Sequence, residues 1–414
     1  MTELSRPLHV VFVTPKNPQS ATSRYRCHHV AEALATSNVR VAVHAITDTH
    51  FTFPAPDIVV LHRLRYHGEA DRVLKAARAV GATTVASVDD LIFSPEYAFQ
   101  VGFNSPPDDP AFYHYHRAEG DDHLRTMREC NAVITSTDFL ASEARIALAD
   151  TKPVYCLRNF LNAEMVALAD AAHELRIRRL ATNPAAKTLA YLSGSPTHDV
   201  DFAEIASSLA RVMEEHEETR LLLVGTVTLP PSLERFADAG RVRRHPFVPW
   251  RDLFALTAQA DVTLAPLDAS RLFNHAKSEI KALEAGLIGV PTVATHIEGA
   301  GEANIGISCR TTADWGNALA RIVEGDAEVA GDAAREWVRE HGTLTAHRGR
   351  IATVFAEIAA RKSKSGNVSA TVTRPWRERL TERLREMEAT YFKRRLKLQR
   401  HWRLLEAELK KGSR

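Results

Sequence analysis

The chain has 414 residues, of which 45% are hydrophobic and 25% charged, as expected for a globular protein with two domains. No apolar run is long enough to span a bilayer, and the short one at 8–13 does not resemble a secretory signal. The four scattered cysteines show neither disulfide nor metal-ligand spacing, so we expect reduced thiols and a cytoplasmic protein.

Strands and helices alternate along the first 180 residues. Apolar, β-branched runs predict strands at 8–15, 39–47, 57–64, 83–90, 131–137 and 153–159. Helical periodicity fills several of the gaps, at 23–36, 69–80, 138–149 and 163–180. This alternation predicts an α/β fold with a parallel sheet covered on both faces.

The alternation restarts after a polar stretch around 176–187. Further strands are predicted at 188–194, 219–227, 260–267 and 290–295. Because a sheet that begins afresh indicates a new domain, we place one doubly wound domain at 1–180 and a second at 187–345, followed by a return helix at 346–362. Two such domains usually bind a ligand in the cleft between the carboxyl ends of their strands.

The last segment, 370–414, predicts a basic amphipathic helix. Residues 361–414 carry 17 Lys or Arg against 6 Asp or Glu, so the rest of the chain is mildly acidic. Apolar residues recur there at helical spacing, at Leu380, Leu384, Met387, Tyr391, Leu398, Trp402, Leu405 and Leu409. The stripe suits docking on an anionic membrane or a partner, and it also suits self-association as a short coiled coil. No nucleic-acid-reading motif accompanies the charge, so no nucleic acid is expected as a partner.

The stretch FNHAKSEIKALEAGLIGVPTVAT, at 273–295, is the most informative one, and it predicts a loop, a helix, a tight turn and a strand. Asn274 or Ser278 can cap the helix, whose first amides then point toward the cleft. Lys277 lies at or just before the first turn, and a cation beside exposed amides suits a diphosphate. Glu284, farther along, would present its carboxylate to ribose hydroxyls, or would pair with Lys281 on the surface.

This stretch resembles the donor-site helix of retaining glycosyltransferases of the GT-B fold, specifically family 4. That family carries a Glu-x7-Glu motif that runs into Ala, Gly and Pro, and Glu284 matches the second glutamate. The first glutamate contacts the donor sugar in the family, but this chain has Ala276 at that position. The identity of the sugar therefore cannot be carried over, and Lys277 or Glu279 are the candidates for substitute contacts.

The resemblance implies two Rossmann-like domains facing across a cleft, with 1–180 binding the acceptor and 187–345 the donor. LAYLSGSPTHDVDF, at 189–202, resembles the first strand and loop of the donor domain. There Gly194 and Ser195 would let amides approach phosphate, and His198 or Asp199 would begin a helix. VRRHPFVPWRDLFALTAQADVTLAPL, at 242–267, resembles the part that receives the nucleotide base, with backbone around Phe247 and Val248 as the contact.

Two segments of the first domain resemble those of bacterial polysaccharide-assembling members of the family. SRYR, at 23–26, supplies Arg24 and Arg26 as cations that would assist the diphosphate from across the cleft. VDDLIFSPEY, at 88–97, supplies Asp89 and Asp90, which could act as a general base or position the acceptor. Alternatively, the two arginines are only surface charges, and the two aspartates only cap the segment that follows them.

The resemblance implies a glycosyltransferase that moves a sugar from a nucleotide-sugar donor to a glycan or lipid-linked acceptor. Retention at the anomeric carbon and a role in cell-surface polysaccharide synthesis (O-antigen, capsule or exopolysaccharide) are implied with it. Cations and amides at the diphosphate would stabilise the charge that develops on the leaving group. The 19 histidines show no metal spacing, so no metal or other cofactor is expected besides the substrate.

Two alternatives differ in activity. A degenerate nucleotide-sugar-binding scaffold of a glycan assembly complex is favoured by Ala276 and by the basic tail. A GT-B nucleotide-sugar epimerase would share the cleft but would need a dedicated acid and base around the sugar. For all three we expect a cytoplasmic location, and the tail adds peripheral attachment to the inner face of the cytoplasmic membrane as one role.

Overall fold

Two parallel six-stranded sheets form the framework of the protein. The computed structural model describes residues 7–36, 38–48, 56–66, 68–94, 97, 110–182, 187–194, 198–297 and 305–361. Every strand pairing in both sheets is parallel. The prediction of an α/β fold with two doubly wound domains is confirmed by this topology.

The first sheet has the strand order β2-β1-β3-β4-β5-β6. Its strands are β1 (Leu8–Thr14), β2 (Val39–Ala45), β3 (Ile58–His62), β4 (Thr83–Val88), β5 (Ala132–Thr135) and β6 (Val154–Cys156). The helices that follow these strands are α1 (Ala21–Ser23), α2 (His29–Leu34), α3 (Gly68–Ala79), α4 (Pro110–Glu129) and α5 (Asp138–Ala147). A π-helical turn at Arg24–His28 joins α1 to α2.

Helix α6 (Ala163–Thr182) leads to the second sheet, whose order is β12-β11-β10-β7-β8-β9. Its strands are β7 (Lys187–Ser193), β8 (Thr219–Gly225), β9 (Val242–His245), β10 (Val262–Ala265), β11 (Thr292–Thr295) and β12 (Gly306–Cys309). The helices are α7 (Asp199–Ala203), α8 (Ala206–Glu215), α9 (Pro231–Asp238), α10 (Trp250–Thr257), α11 (Leu272–His275), α12 (Ile280–Ile288), α13 (Thr312–Arg321) and α14 (Ala327–His341).

Alternation of side chains along each strand explains why both faces of a sheet are covered. In β1, Val11 and Val13 belong to one hydrophobic cluster, whereas Val10 and Phe12 belong to another on the opposite face. Successive side chains of a strand point to opposite faces, so a continuous apolar run needs helices on both sides. The same runs made these strands predictable from the sequence.

Strands β9 and β12, the two edges of the second sheet, were not predicted. The four residues of β9, VRRH, are half-buried or exposed, and β12 buries only Cys309. An edge strand needs no apolar run, since solvent covers much of it. With both edges included, the strand order reverses between β7 and β10, which is where doubly wound sheets bind ligands.

The chain crosses between the domains twice. Helix α6, placed in the first domain by the prediction of 1–180, buries Met165, Ala169 and Ala172 in a cluster of the second domain. The final described helix, α15 (Leu344–Arg361), returns to the first domain, where Phe355 lies 5.9 Å from Phe12 between ring centroids. For both helices, the apolar face decides in which domain the helix packs, and the position in the sequence does not.

The predicted basic helix at 370–414 lies outside the residues that the structure describes. None of the described helices is both long and apolar enough to cross a membrane.

The Phe12–Phe355 contact predicts that α15 is an integral part of the first domain. Phe355 is 1% exposed, so Phe355→Ala should lower the free energy of unfolding by about 3–5 kcal/mol. Glu357→Ala, at an exposed position of the same helix, is the matched control and should change it little. Equal effects of the two substitutions in denaturant unfolding would contradict the packing of α15.

Candidate active site

A cavity of about 620 Å³ lies between the carboxyl ends of the two sheets. The first domain contributes the loop after β1, the start of its first helical segment and Asp89 after β4. The second domain contributes the ends of β7 and β8, the segment around α10 and one face of α12. The cavity thus lies where both topologies place a ligand site.

Helix α12 lies along this cavity. Ile280, Lys281, Glu284, Ala285 and Ile288 line it, and their spacing corresponds to one face of a helix. The opposite face packs against α14 and the sheet. The predicted donor helix therefore faces the interdomain cleft.

Glu284 presents a half-buried carboxylate to the cavity. Tyr25, from the first domain, donates a 2.5 Å hydrogen bond from its hydroxyl to Oε1 of Glu284. Burial raises the pKa of Glu284, and the Tyr25 hydrogen bond, Arg24 and Lys281 oppose that rise. The site therefore combines a desolvated carboxylate with donors and cations that favour its charged form.

Lys281 is a cation that the sequence analysis did not assign to the site. Its Nζ lies 5.0 Å from the centroid of the Tyr191 ring, and it forms no ion pair with any residue that the structure describes. Burial lowers its pKa to about 8, with Asp201 opposing the shift. A lysine one turn before Glu284 lies on the same helical face, which is the spacing signal that could have identified it.

Lys277 does not line the cavity, contrary to the prediction that it contacts the diphosphate. Its Nζ lies 2.7 Å from Oδ1 of Asp90 and 4.5 Å from the centroid of the Phe273 ring. Asp90 also accepts a hydrogen bond from Arg63. Burial opposes ionisation of Asp90, but Lys277 and Arg63 lower its pKa to about 2. Lys277 and Asp90 therefore form an ion pair between the domains.

The segment that precedes α12 docks on the first domain. Phe273 and Ala276 are buried in the hydrophobic cluster of the first domain, with Ala276 0% exposed. Ser278 Oγ accepts a hydrogen bond of 2.9 Å from Asn159, and Glu279 pairs with Arg158 at 3.3 Å. Position 276, which contacts the donor sugar in the resembled family, is here part of an apolar contact between domains.

The predicted capping of this helix is wrong. Helix α12 begins at Ile280 after Glu279, which makes no side-chain capping bond. Asn274 lies earlier, in α11, and its amide donates to Asp201 and to the Asp268 carbonyl. Asn274 and Ser278 thus hold neighbouring segments, and the first amides of α12 carry no side-chain cap.

The two arginines of SRYR have different surroundings. Arg24 lines the cavity, and its guanidinium lies 4.5 Å from the centroid of the Trp250 ring. Arg26 is 2% exposed and donates to the carbonyls of Leu157 and Thr135 inside the first domain. The prediction that Arg26 contacts a ligand is therefore wrong, because its guanidinium is buried inside the first domain, where both terminal nitrogens donate to groups of that domain.

Some of the remaining residues that were predicted to bind the donor line the cavity, and others do not. Gly194, Phe247 and Val248 line the cavity, and Phe247 is 67% exposed. Helix α7 begins at Asp199, one of the two predicted starts. His198 precedes it, with Nδ1 2.9 Å from Asp201, and does not line the cavity. Ser195 lies outside the described residues.

Asp89 and Gly225 complete the wall. Asp89 lines the cavity and accepts a hydrogen bond from Arg63, so its carboxylate is already paired. Gly225 ends β8 at φ +93°, and a Cβ there would lie 1.9 Å from the Ser193 carbonyl oxygen. That position requires glycine. Within the described ranges no three His, Cys, Asp or Glu side chains are placed to hold a metal ion.

Residues 189–325 match the protein family described as Glycosyl transferases group 1. The matched segment lies within the second domain. The predicted enzyme class, a glycosyltransferase, is confirmed by this match. No curated protein sequence matches the chain.

Solved structures share the whole architecture at low identity. Sucrose-phosphate synthase from Thermosynechococcus elongatus is 13% identical, with a TM-score of 0.59 over 86% of this chain and 100% of its own. HepE from Anabaena in complex with UDP is 14% identical, with a TM-score of 0.55 over 84% and 100%. WaaG, a glycosyltransferase involved in lipopolysaccharide biosynthesis, is 14% identical, with a TM-score of 0.55 over 83% and 99%. The GT-B fold is confirmed by these matches.

The contrast between the two arginines predicts different effects on stability. Arg26→Met should lower the free energy of unfolding by about 1–3 kcal/mol, because it leaves buried carbonyl groups without donors. Arg24→Met, in the same π-helical turn, removes no hydrogen bond to a buried carbonyl and should have a smaller effect. Denaturant unfolding of both variants measures the difference, and a larger loss for Arg24→Met would refute it.

Proposed function

We propose that the protein transfers a glycosyl group from a nucleotide-sugar donor, bound in the interdomain cavity, to a glycan or lipid-linked acceptor. The observation that carries this proposal is the carboxylate of Glu284, which lies on the cavity face of α12 beside a cation with no described ion-pair partner, Lys281. HepE, one of the structural neighbours, was solved with UDP and with UDP-glucose, which supports a nucleotide sugar as the donor.

Glu284 binds the ribose of the donor in this proposal. A carboxylate can accept hydrogen bonds from two adjacent hydroxyl groups, and doubly wound folds use an acidic residue in this way. Tyr25 occupies Oε1, and no described residue donates a hydrogen bond to Oε2. Because Glu284 lines the cavity, its Oε2 is available to accept a hydrogen bond from a ligand hydroxyl.

Lys281 takes the role that the sequence analysis gave to Lys277, namely neutralising the diphosphate. It lies in the first turn of α12, where the helix dipole and the uncapped amides also favour an anion. Arg24 adds a second cation from the first domain. Glycine at 194 and at 225 lets backbone approach the ligand closely. Cations fixed in advance at the leaving diphosphate lower the barrier to its departure.

The base binds near Phe247 and Val248 in this arrangement, on the cavity wall that Trp250 extends. An exposed aromatic ring on a ligand cavity offers a stacking surface for a base. The sugar then points toward Asp89, at the end of β4. Asp89 is the carboxylate that lines the cavity from the acceptor domain, so it is the candidate for contacts with sugar or acceptor hydroxyls.

Retention at the anomeric carbon is part of the proposal, on the strength of the resemblance to family 4 around Glu284. An inverting enzyme needs a protein base near the acceptor hydroxyl. Asp90 is a poor base, because its pKa is lowered to about 2 and it is paired with Lys277 and Arg63. Asp89, which lines the cavity, is paired with Arg63, so the leaving phosphate is the proton acceptor in this proposal.

Cell-surface polysaccharide synthesis is the proposed context. Its support is the resemblance of SRYR and VDDLIFSPEY to polysaccharide-assembling enzymes, together with the fold shared with WaaG. We propose that the basic tail at 370–414 holds the protein peripherally at an anionic membrane, where a lipid-linked acceptor would be available.

Glu284→Gln should weaken binding of a nucleoside diphosphate. The change removes a charge but little volume, so the dissociation constant should rise about tenfold or more. Titration calorimetry with UDP, GDP and ADP checks this. Glu214→Gln, on the exposed surface of α8, is the matched control and should bind as the wild type does. Unchanged affinity in Glu284→Gln would remove the ribose contact from the account.

The lowered pKa of Lys281 predicts that binding of a nucleoside diphosphate depends on pH. A lysine whose pKa is about 8 is charged below that pH and loses its proton above it, so nucleotide affinity should fall as the pH rises through about 8. The groups that act on its ammonium are Asp201, Lys277 and Glu284. Lys281→Arg should move this loss to higher pH, since guanidinium stays charged.

The control for this pH series is Lys75→Arg, at an exposed position of α3. It should reproduce the wild-type profile. A wild-type affinity that does not change between about pH 7 and about pH 9, where a shifted lysine titrates, would show that Lys281 does not contact the diphosphate.

A further inference from the structure

We infer that Tyr25 is a positioning residue. It holds the Glu284 carboxylate from across the cleft, so that this carboxylate is oriented to bind the ribose when the two domains are together. This inference rests on the proposed function, because it concerns the same carboxylate. It assigns to the acceptor domain a role in nucleotide binding that is exerted through Glu284.

Tyr25 belongs to the first domain by sequence but packs in the second. It is 2% exposed and shares a hydrophobic cluster with Met165, Leu283 and Leu287 of the second domain. Its hydroxyl lies 2.5 Å from Glu284 Oε1 and 3.6 Å from Met165 Sδ. Such burial fixes the ring, so the hydroxyl approaches Glu284 from one direction.

Tyr25 reaches the other domain from the start of the π-helical turn. Arg24–His28 form this turn between two short α-helices. Arg26 points into the core of the first domain, while Tyr25, one residue earlier, points across the cleft. The ring of His29 packs edge-on against Tyr25 at 4.8 Å.

A buried carboxylate needs hydrogen-bond donors to stay in one orientation. Tyr25 is the only described residue that donates a hydrogen bond to Glu284. With Oε1 held, Oε2 remains for the ligand. Without the hydroxyl, the carboxylate would keep its place on α12 but lose the donor that fixes its rotation. The effect should therefore appear in binding of the ribose hydroxyls and not in binding of the rest of the nucleotide.

The test compares nucleotides with and without those hydroxyls. UDP, GDP and ADP are titrated calorimetrically against their 2′,3′-dideoxy counterparts, with wild-type protein, Glu284→Gln, Tyr25→Phe and Tyr155→Phe. Tyr155→Phe is the matched control, because it also loses one hydroxyl hydrogen bond, to Arg361, outside the cavity. Unchanged binding of the dideoxynucleotide shows that the cleft of each variant is intact.

Wild-type protein and Tyr155→Phe should prefer the ribonucleotide about tenfold or more. Tyr25→Phe should lose most of that preference, as Glu284→Gln does, while dideoxynucleotide affinity stays constant. If Tyr25→Phe keeps the preference, or weakens both nucleotides equally, the positioning role is overturned and the proposed function stands. If the wild type binds none of the nucleotides, or Glu284→Gln changes nothing, the proposed function itself fails, and the role of Tyr25 fails with it.

Discussion

The hydrogen bond from Tyr25 to Glu284 is the interaction on which the rest of the site depends. Taking a carboxylate out of water is unfavourable unless donors or cations compensate, and here they come from both domains. Tyr25 and Arg24 approach from the first domain, and Lys281 lies one turn away on α12. The charge of Glu284 in the cavity is therefore stabilised by groups of both domains, and its stabilisation depends on how the domains are placed.

The two halves of the stretch from 272 to 288 make different contacts. Its first half, with Phe273 and Ala276, packs into the hydrophobic core of the first domain and adds the Lys277–Asp90 ion pair. Its second half, α12, presents Glu284 to the cavity. A glutamate in place of Ala276 would bury a charge in an apolar contact, which explains why the resemblance to family 4 fails at this position. The domain interface and the proposed donor site are thus consecutive pieces of one segment.

Much of the fold was predictable because buried parallel strands are continuous apolar runs. The edge strands β9 and β12 were missed, since exposed residues leave no such run. The sequence indicated that the helix with Glu284 faces the cleft, but not which lysine lines the cavity. Lys277 and Lys281 look alike in sequence, but the segment with Phe273 and Lys277 docks on the first domain, and Lys281 lines the cavity. Arg24 and Arg26 lie in the same π-helical turn, and local sequence does not reveal which of the two faces the cavity.

The account is tested most directly by a crystal structure of the protein with a nucleoside diphosphate bound. It predicts the ribose hydroxyls on the Glu284 carboxylate, the diphosphate at Lys281 and the first turn of α12, and the Tyr25 hydroxyl still on Glu284. A nucleotide bound elsewhere, or one in the cavity whose diphosphate contacts Lys277 and whose ribose faces away from Glu284, would contradict it.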